Sequence, residues 1–241
     1  MKGSFEADGY LTGFNVKGSE LKQIKFWIRE RWLNVLTTAY PALKEQVHQT
    51  SLSNYHTLSS QIEHEKLWSK TVRIFSPEQV KSLAQMSLFT QLKSKFGSYK
   101  IADIEGLGYP EVYWRMVRPN ESNDVSGVHS DRWFYTYTNN ISDARQERLL
   151  KFWLAIEAIP NESGLSVVCG SHLKKWPNGS ELRHGRPKPV FLGDSSSLIF
   201  QKLSLQPSEG VLFSIDLLHK GISHFGNHTR FSIEFALEED G

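Results

Sequence analysis

The stretch Glu209 to Phe235 reads EGVLFSIDLLHKGISHFGNHTRFSIEF: two runs rich in β-branched and aromatic residues flank a segment of Gly, Ser, Asn and His. This pattern predicts two strands joined by a loop, with His219 ending the first and Arg230 opening the second. Side chains alternate along a strand, so Arg230 and Ser232 share one face. A guanidinium beside a hydroxyl suits a carboxylate, the first as a bidentate charged donor and the second as a further donor.

Working outward, further short β-rich runs fill the chain after about residue 108: EVYWRMV, GVHSD, RLLKFWLAIEAI, GLSVVCGSH and SSLIFQKL. Seven or eight strands separated by turn residues predict a barrel or jelly roll. The first part of the chain has helical periodicity instead. Leu21, Ile24, Ile28, Trp32 and Val35 or Leu36 recur at three- and four-residue steps after Ser19. A second helix is expected from Ser76, with Pro77 at its first position and Gln79 completing a capping box. Its stripe is Val80, Leu83, Ala84, Leu88 and Leu92, and Gly97 is its stop. Residues 42–70 are polar and ambiguous, with a further helix expected over SSQIEHEKLWSK. The fold expected is mainly β in one domain, residues 1–107 forming a helical support and 108–241 the β core.

The formal charge of +2 comes from 28 basic and 26 acidic side chains, which argues against a nucleic-acid partner. No segment approaches the ~18 consecutive apolar residues of a membrane span. The single cysteine, Cys169, forms no intrachain disulfide, and the N-terminus lacks the apolar run of a signal peptide, so a cytoplasmic protein is expected. The glycosylation sequons at Asn120, Asn161, Asn178 and Asn227 are then incidental, and no feature assigns an oligomeric state.

Within GVHSDRWFY, Gly127 to Tyr135, a strand would put His129 and Asp131 on one side and Ser130 on the other. Imidazole and carboxylate are two of the ligand types of a two-histidine, one-carboxylate facial triad, which leaves positions open on Fe(II). With nine histidines, roughly half an H-x-D is expected by chance. The dyad alone therefore leaves a metal site and a coincidence open.

The order H-x-D, then FWLAIEAIPNESGLSVVCGSH, then a histidine eleven residues before an arginine resembles the phytanoyl-CoA dioxygenase-like group of Fe(II)/2-oxoglutarate oxygenases, over roughly residues 110 to 238. The resemblance implies a double-stranded β-helix, a cupin-like jelly roll, using Fe(II), 2-oxoglutarate and O2. It implies that His129, Asp131 and His219 bind iron and that Arg230 with Ser232 holds the distal carboxylate of 2-oxoglutarate. Trp153 would line the co-substrate pocket, as would Trp114 or Arg115 on the strand before the dyad. The activity implied is hydroxylation of a small molecule, with conversion of 2-oxoglutarate and O2 to succinate and CO2. Asp131 argues against halogenation, because the halogenating variant of this group lacks that carboxylate. Gly221 stands where the family often has Ser or Thr, Cys169 where proline is usual, and NESG replaces a tighter Asn-Gly turn.

Other residues carry two readings. His224 and His228 are expected to be solvent-facing loop residues; His172 either approaches the pocket or finishes a turn. His56 and His64, with Glu63 and Glu65, are expected on a solvated helix face. Lys174, Lys175, Arg183, Arg186 and Lys188 form a basic segment that either draws an anionic substrate or is ordinary loop charge. Arg132, Trp133, Tyr135 and Tyr137 either form a substrate wall or pack inward. Two other functions remain: a non-catalytic jelly-roll ligand- or sugar-binding module, and a cupin-like metalloenzyme without an oxoacid. Neither needs Arg230.

Overall fold

The computed structural model describes residues 4–183 and 186–240. Its strands are β1 (Tyr10–Asn15), β2 (Tyr99–Ile101), β3 (Tyr113–Val117), β4 (Leu149–Glu157), β5 (Gly164–Val167), β6 (Asn178–Arg183), β7 (Arg186–Phe191), β8 (Gln201–Lys202), β9 (Glu209–Ser214), β10 (His219–Ile222) and β11 (Arg230–Glu239). The larger sheet has the order β1-β9-β4-β11-β2, and β3 also pairs with β11. A smaller sheet has the order β10-β5-β8, and β6 pairs with β7 as a hairpin.

Alternation along the central strands divides the interior in two. Phe231, Ile233, Phe235 and Leu237 of β11 join Phe152, Leu154 and Ile156 of β4 in a core shared with the N-terminal helices. The opposite face carries Arg230, Ser232 and Glu234. Antiparallel pairing sets Ser232 opposite Ala155 and Glu234 opposite Trp153, so these residues point the same way. Trp153 and Ala155 pack with Val211 and Phe213, and with Leu165 and Val167 of the smaller sheet. The jelly-roll expectation is met: Arg230 and Ser232 look into the space between two sheets.

The helical layer matches its apolar stripe, with Ile24, Ile28, Trp32 and Leu36 of the helix Gly18–Ala39 fully buried. The helix expected from Ser76 to Gly97 is two helices, Pro77–Leu83 and Ser87–Phe96. The Ser76–Gln79 capping box opens the first. Met86 is extended, and the Ser87 N–H and hydroxyl donate to the Glu20 carboxylate at 2.7 and 2.5 Å, so a tertiary partner starts the second. SSQIEHEKLWSK yields only the 3-10 turn Ser59–Gln61 and the helical turn His64–Leu67.

The boundary expected near residue 107 needs correction, because β1 and β2 precede it and belong to the larger sheet. β1 was hidden by its irregular alternation. Gly13, at φ +89°, is an extra residue between Thr12, opposite Val211, and Phe14, opposite Gly210. Such a bulge reverses the strand's faces, so Tyr10 packs between the sheets while Phe14 joins the helical core. No helix among the described residues is long and apolar enough to cross a membrane.

Candidate active site

His129 and His219 meet across a single backbone bridge: the N–H of each donates to the carbonyl of the other, at 3.1 and 2.9 Å. GVHSD is therefore not the strand expected. The chain leaves the sheet after that bridge, Ser130 is extended, and Asp131 opens the helix Asp131–Tyr137. Aromatic residues in DRWFYTY suggest a strand by propensity, but tertiary contacts decide. The Arg132 N–H donates to the Ile215 carbonyl at 2.9 Å, and its guanidinium grips Asp216 at 2.5 and 2.8 Å. His129 and Asp131 nevertheless converge with His219. All three are buried, and their potential ligand atoms lie within 4.8 Å of one another.

Each imidazole is oriented through its Nδ1, which bonds the Gly127 carbonyl at 2.8 Å in His129 and the Leu217 carbonyl at 2.9 Å in His219. That contact requires Nδ1–H, which leaves the Nε2 lone pair free for a metal. Burial, reinforced by the charge His219 can carry, pushes the His129 pKa down to about 3, so its imidazole is neutral at ordinary pH. The buried Asp131 Oδ2 lies 3.7 Å from His219 Nε2 and has no hydrogen-bond partner. An orphaned carboxylate oxygen beside two imidazoles whose Nδ1 protons are engaged elsewhere fits Fe(II) as the missing partner.

The second half of the site lies on β11. Arg230 Nη1 donates to the Gly164 carbonyl at 2.6 Å, while its Nε and the Ser232 hydroxyl are buried without partners. No carboxylate among the described residues ion-pairs with Arg230. Burial, with the nearby Arg115 charge, lowers its pKa to about 10, which leaves it cationic at neutral pH. The Trp153 ring lies 5.8 Å from the guanidinium carbon. A buried cation beside an unpaired hydroxyl fits the terminal carboxylate of an oxoacid.

The phytanoyl-CoA dioxygenase (PhyH) family model matches residues 43–232. The chain belongs to this family. No protein of curated function matches it. Among solved structures, the non-heme monooxygenase ThoJ in its nickel complex is 14% identical with a TM-score of 0.56, covering 98% of this chain and 75% of that one. The epimerase SnoN, in complex with Fe3+, alpha ketoglutarate and nogalamycin RO, is 15% identical with a TM-score of 0.57, covering 98% and 80%. EctD from S. alaskensis with bound Fe is 13% identical with a TM-score of 0.58, covering 98% and 74%. At such identities the likeness is one of fold.

In this PhyH-family oxygenase the strand register puts Trp114 and Arg115 on opposite faces of β3. Arg115 pairs with Ser232 and shares its face, whereas Trp114 pairs with Ile233 and faces the helices. Trp114 stacks on Phe231 at 5.9 Å and meets Trp68 edge-on at 5.3 Å, so its expected place in the pocket is corrected. Trp114→Ala is expected to cost about 3–5 kcal/mol of stability, read by denaturant unfolding, without weakening oxoacid binding by the folded protein. A selective loss of oxoacid affinity with stability intact would return Trp114 to the pocket.

Two residues of the site were missed. Lys151 Nζ lies 3.5 Å from Asp131 Oδ1 and 4.0 Å from Glu234 Oε1. Glu234 also accepts from Arg115 Nε at 2.6 Å, and these cations hold its carboxyl well below the usual range. Period two could have found both, since Glu234 lies two residues past Ser232 and Lys151 two before Trp153.

Of the remaining candidates, His172 lies in the 3-10 turn Ser171–Leu173, where its Nε2 bonds the Glu6 carbonyl at 3.2 Å. His224, expected in solvent, is buried with both ring nitrogens unpartnered. The basic segment includes the β6–β7 hairpin, which packs on the Asp131 helix. Trp133 stacks on Phe191 at 6.3 Å, and Tyr137 donates to Asn178 at 2.8 Å. The side chains of Arg183 and Arg186 lie outside the described residues. Arg132 and Trp133 thus hold the helix in place, and Tyr135 is buried with its hydroxyl unpartnered.

His64, Glu65 and Asp124 also lie close enough for a metal. Asp124, however, already accepts from the Arg118 guanidinium through both oxygens, at 2.9 and 2.8 Å, and a cation there would face that charge. His64 is not on a solvated face: its Nδ1 bonds the Tyr55 hydroxyl at 2.7 Å, and burial, helped by Arg118, lowers its pKa to about 4. In the unfolded chain His64 and His129 each take up a proton near pH 6.5. Both favour the folded state above that value and oppose it as pH falls. Burial lowers His224 and His228 as well, and raises Glu111 to about 7, which acts in the other direction, one group against four histidines. The metal-free protein is therefore expected to lose stability as pH falls from 6.5 to 4.5. A thermal midpoint constant over that interval would contradict this balance.

Proposed function

We propose that this protein is an Fe(II)- and 2-oxoglutarate-dependent hydroxylase of a small molecule. The observation that carries the reading is the Arg230–Ser232 pair, whose Nε and hydroxyl are buried without partners, on the interior face that also presents Lys151 to the Asp131 carboxylate. A jelly-roll binding module has no use for an anion receptor next to a three-ligand cluster. A cupin-like metalloenzyme without an oxoacid would leave the buried guanidinium uncompensated, at a cost of several kcal/mol.

His129 Nε2, Asp131 Oδ2 and His219 Nε2 would hold the metal. Bound iron, with 2-oxoglutarate and O2, supplies the oxidation that yields succinate, CO2 and a hydroxylated product. The protein's own work is positional. Arg230 and Ser232 grip the distal carboxylate, and Trp153 walls the pocket beside the guanidinium. The Gly127 and Leu217 carbonyls keep the imidazole protons on Nδ1. Lys151 occupies the side of Asp131 Oδ1, favouring Oδ2 as the ligand atom. Retention of Asp131 supports hydroxylation over halogenation.

Purified protein supplied with Fe(II) and 2-oxoglutarate in air is expected to form succinate slowly without a further substrate, and to stop on chelation. No succinate above a metal-free control would overturn the proposal.

A further inference from the structure

The iron cluster continues into a chain of charges that the oxygenase chemistry leaves unbalanced. From Asp131 the contacts pass to Lys151 at 3.5 Å, on to Glu234 at 4.0 Å, and from Glu234 to Arg115 at 2.6 Å. Arg115 and Arg73 both line a cavity of about 170 Å3 beyond it. Arg73 Nε donates to the Trp68 carbonyl at 3.0 Å and Nη1 to the Trp114 carbonyl at 3.2 Å, and it ion-pairs with no carboxylate among the described residues. Arg115 spends only its Nε on Glu234, and about half of its side chain is open to solvent.

The other charges on the cavity wall are accounted for. Asp124 belongs to Arg118, Glu65 is mostly exposed and lies 3.5 Å from Arg118, and His64 is neutral at ordinary pH. Around the site, Arg73, Arg115, Lys151 and Arg230 stand against Asp131 and Glu234. On the cavity wall Arg118 stands against both Asp124 and Glu65, which offsets one of the two surplus cations, and iron with the oxoacid dianion adds no net charge, so one positive charge remains uncompensated. Uncompensated charge in a partly buried site is unfavourable. Arg73, with no ion pair among the described residues, and Arg115, with only its Nε spent, both border an empty volume.

We propose that this cavity takes the anionic end of the substrate, a carboxylate or phosphate group held by Arg73 and Arg115. The inference rests on the oxygenase reading and adds the substrate's chemical class. The two guanidinium groups anchor one end of the substrate, and Glu234 and Lys151 lie between that end and Asp131. Guanidinium groups favour planar or tetrahedral oxyanions through paired N–H donors. A neutral isostere, such as an amide or ester, is expected to be a poor substrate.

The test is calorimetric titration of anaerobic protein loaded with Fe(II) and saturating 2-oxoglutarate, at low ionic strength, with sodium acetate and sodium sulfate as separate probes. Saturable uptake of one probe per chain is expected, weakened about tenfold or more in Arg73→Gln while the visible iron–oxoacid band persists. Preference for acetate points to a carboxylate substrate and preference for sulfate to a phosphate. If Arg73→Gln fails to fold after losing its two carbonyl contacts, Arg115→Gln makes the same comparison with those contacts intact. Absence of saturable uptake in wild-type protein that shows the band would overturn the proposal. So would uptake that survives in the folded variant. If the band never forms, the oxygenase reading fails separately, and the same titrations on metal-free wild type and variant still decide the cavity.

Discussion

Asp131→Ala is expected to abolish succinate formation, with turnover falling by more than about a hundredfold, since loss of even an outer-shell partner of a metal ligand commonly costs 10–100-fold. The effect has two parts. The cluster loses the one carboxylate among its three candidate ligands, and two imidazoles alone bind Fe(II) poorly. Lys151 also loses its partner at 3.5 Å and, among the described residues, keeps only Glu234 at 4.0 Å. Leaving a buried charge without its partner costs about 3–5 kcal/mol, so the variant should also be less stable. The double variant Asp131→Ala/Lys151→Met separates these parts: stability is expected to return and turnover is not. Succinate formation at the wild-type rate in Asp131→Ala would remove the carboxylate from the cluster.

The second large effect belongs to Arg230→Ala. Its guanidinium is buried, unpaired by any carboxylate among the described residues, and anchored to the Gly164 carbonyl at 2.6 Å, so the fork is preset before a ligand arrives. Truncating one partner of a buried charge pair costs about 2–5 kcal/mol. The dissociation constant for 2-oxoglutarate should therefore rise by about 30-fold or more, at 1.4 kcal/mol per decade. Iron affinity measured without oxoacid should change by less than about threefold, because Arg230 contacts none of the three ligand residues. Arg230→Lys is expected to lie between the two, keeping the charge and losing the fork. Equal oxoacid affinity in Arg230→Ala and wild type would contradict the assignment.

The parts of this site that follow the strand period were legible in the sequence. Arg230 and Ser232 share a face because they lie two residues apart on β11, and Trp153 joins them because the β4–β11 register is unbroken from Ser232 to Glu238, the irregularity at Ile156 lying beyond it. The parts set by tertiary contact were not. GVHSD has the composition of a strand, yet a backbone bridge to His219 and the anchoring of Arg132 turn it into a helix at Asp131. His129 and Asp131 converge all the same, for a reason alternation did not supply. Trp114 and Arg115 are neighbours whose phase is fixed only by pairing with β11. β1 was hidden by the bulge at Gly13, and the break before Ser87 by a glutamate sixty-seven residues away. Lys151 and Glu234 obey the simplest period of all. Taken singly they read as ordinary strand charges, and only the pairing of β4 with β11 brings them together beside Asp131.

The most direct test of an oxygenase built on His129, Asp131, His219 and Arg230 is an anaerobic titration of the purified protein with Fe(II) and 2-oxoglutarate, followed by visible absorbance. A charge-transfer band is expected that requires both components, saturates at one iron per chain, and is absent in Asp131→Ala. No band at saturating Fe(II) and 2-oxoglutarate, in correctly folded wild-type protein, would contradict the account.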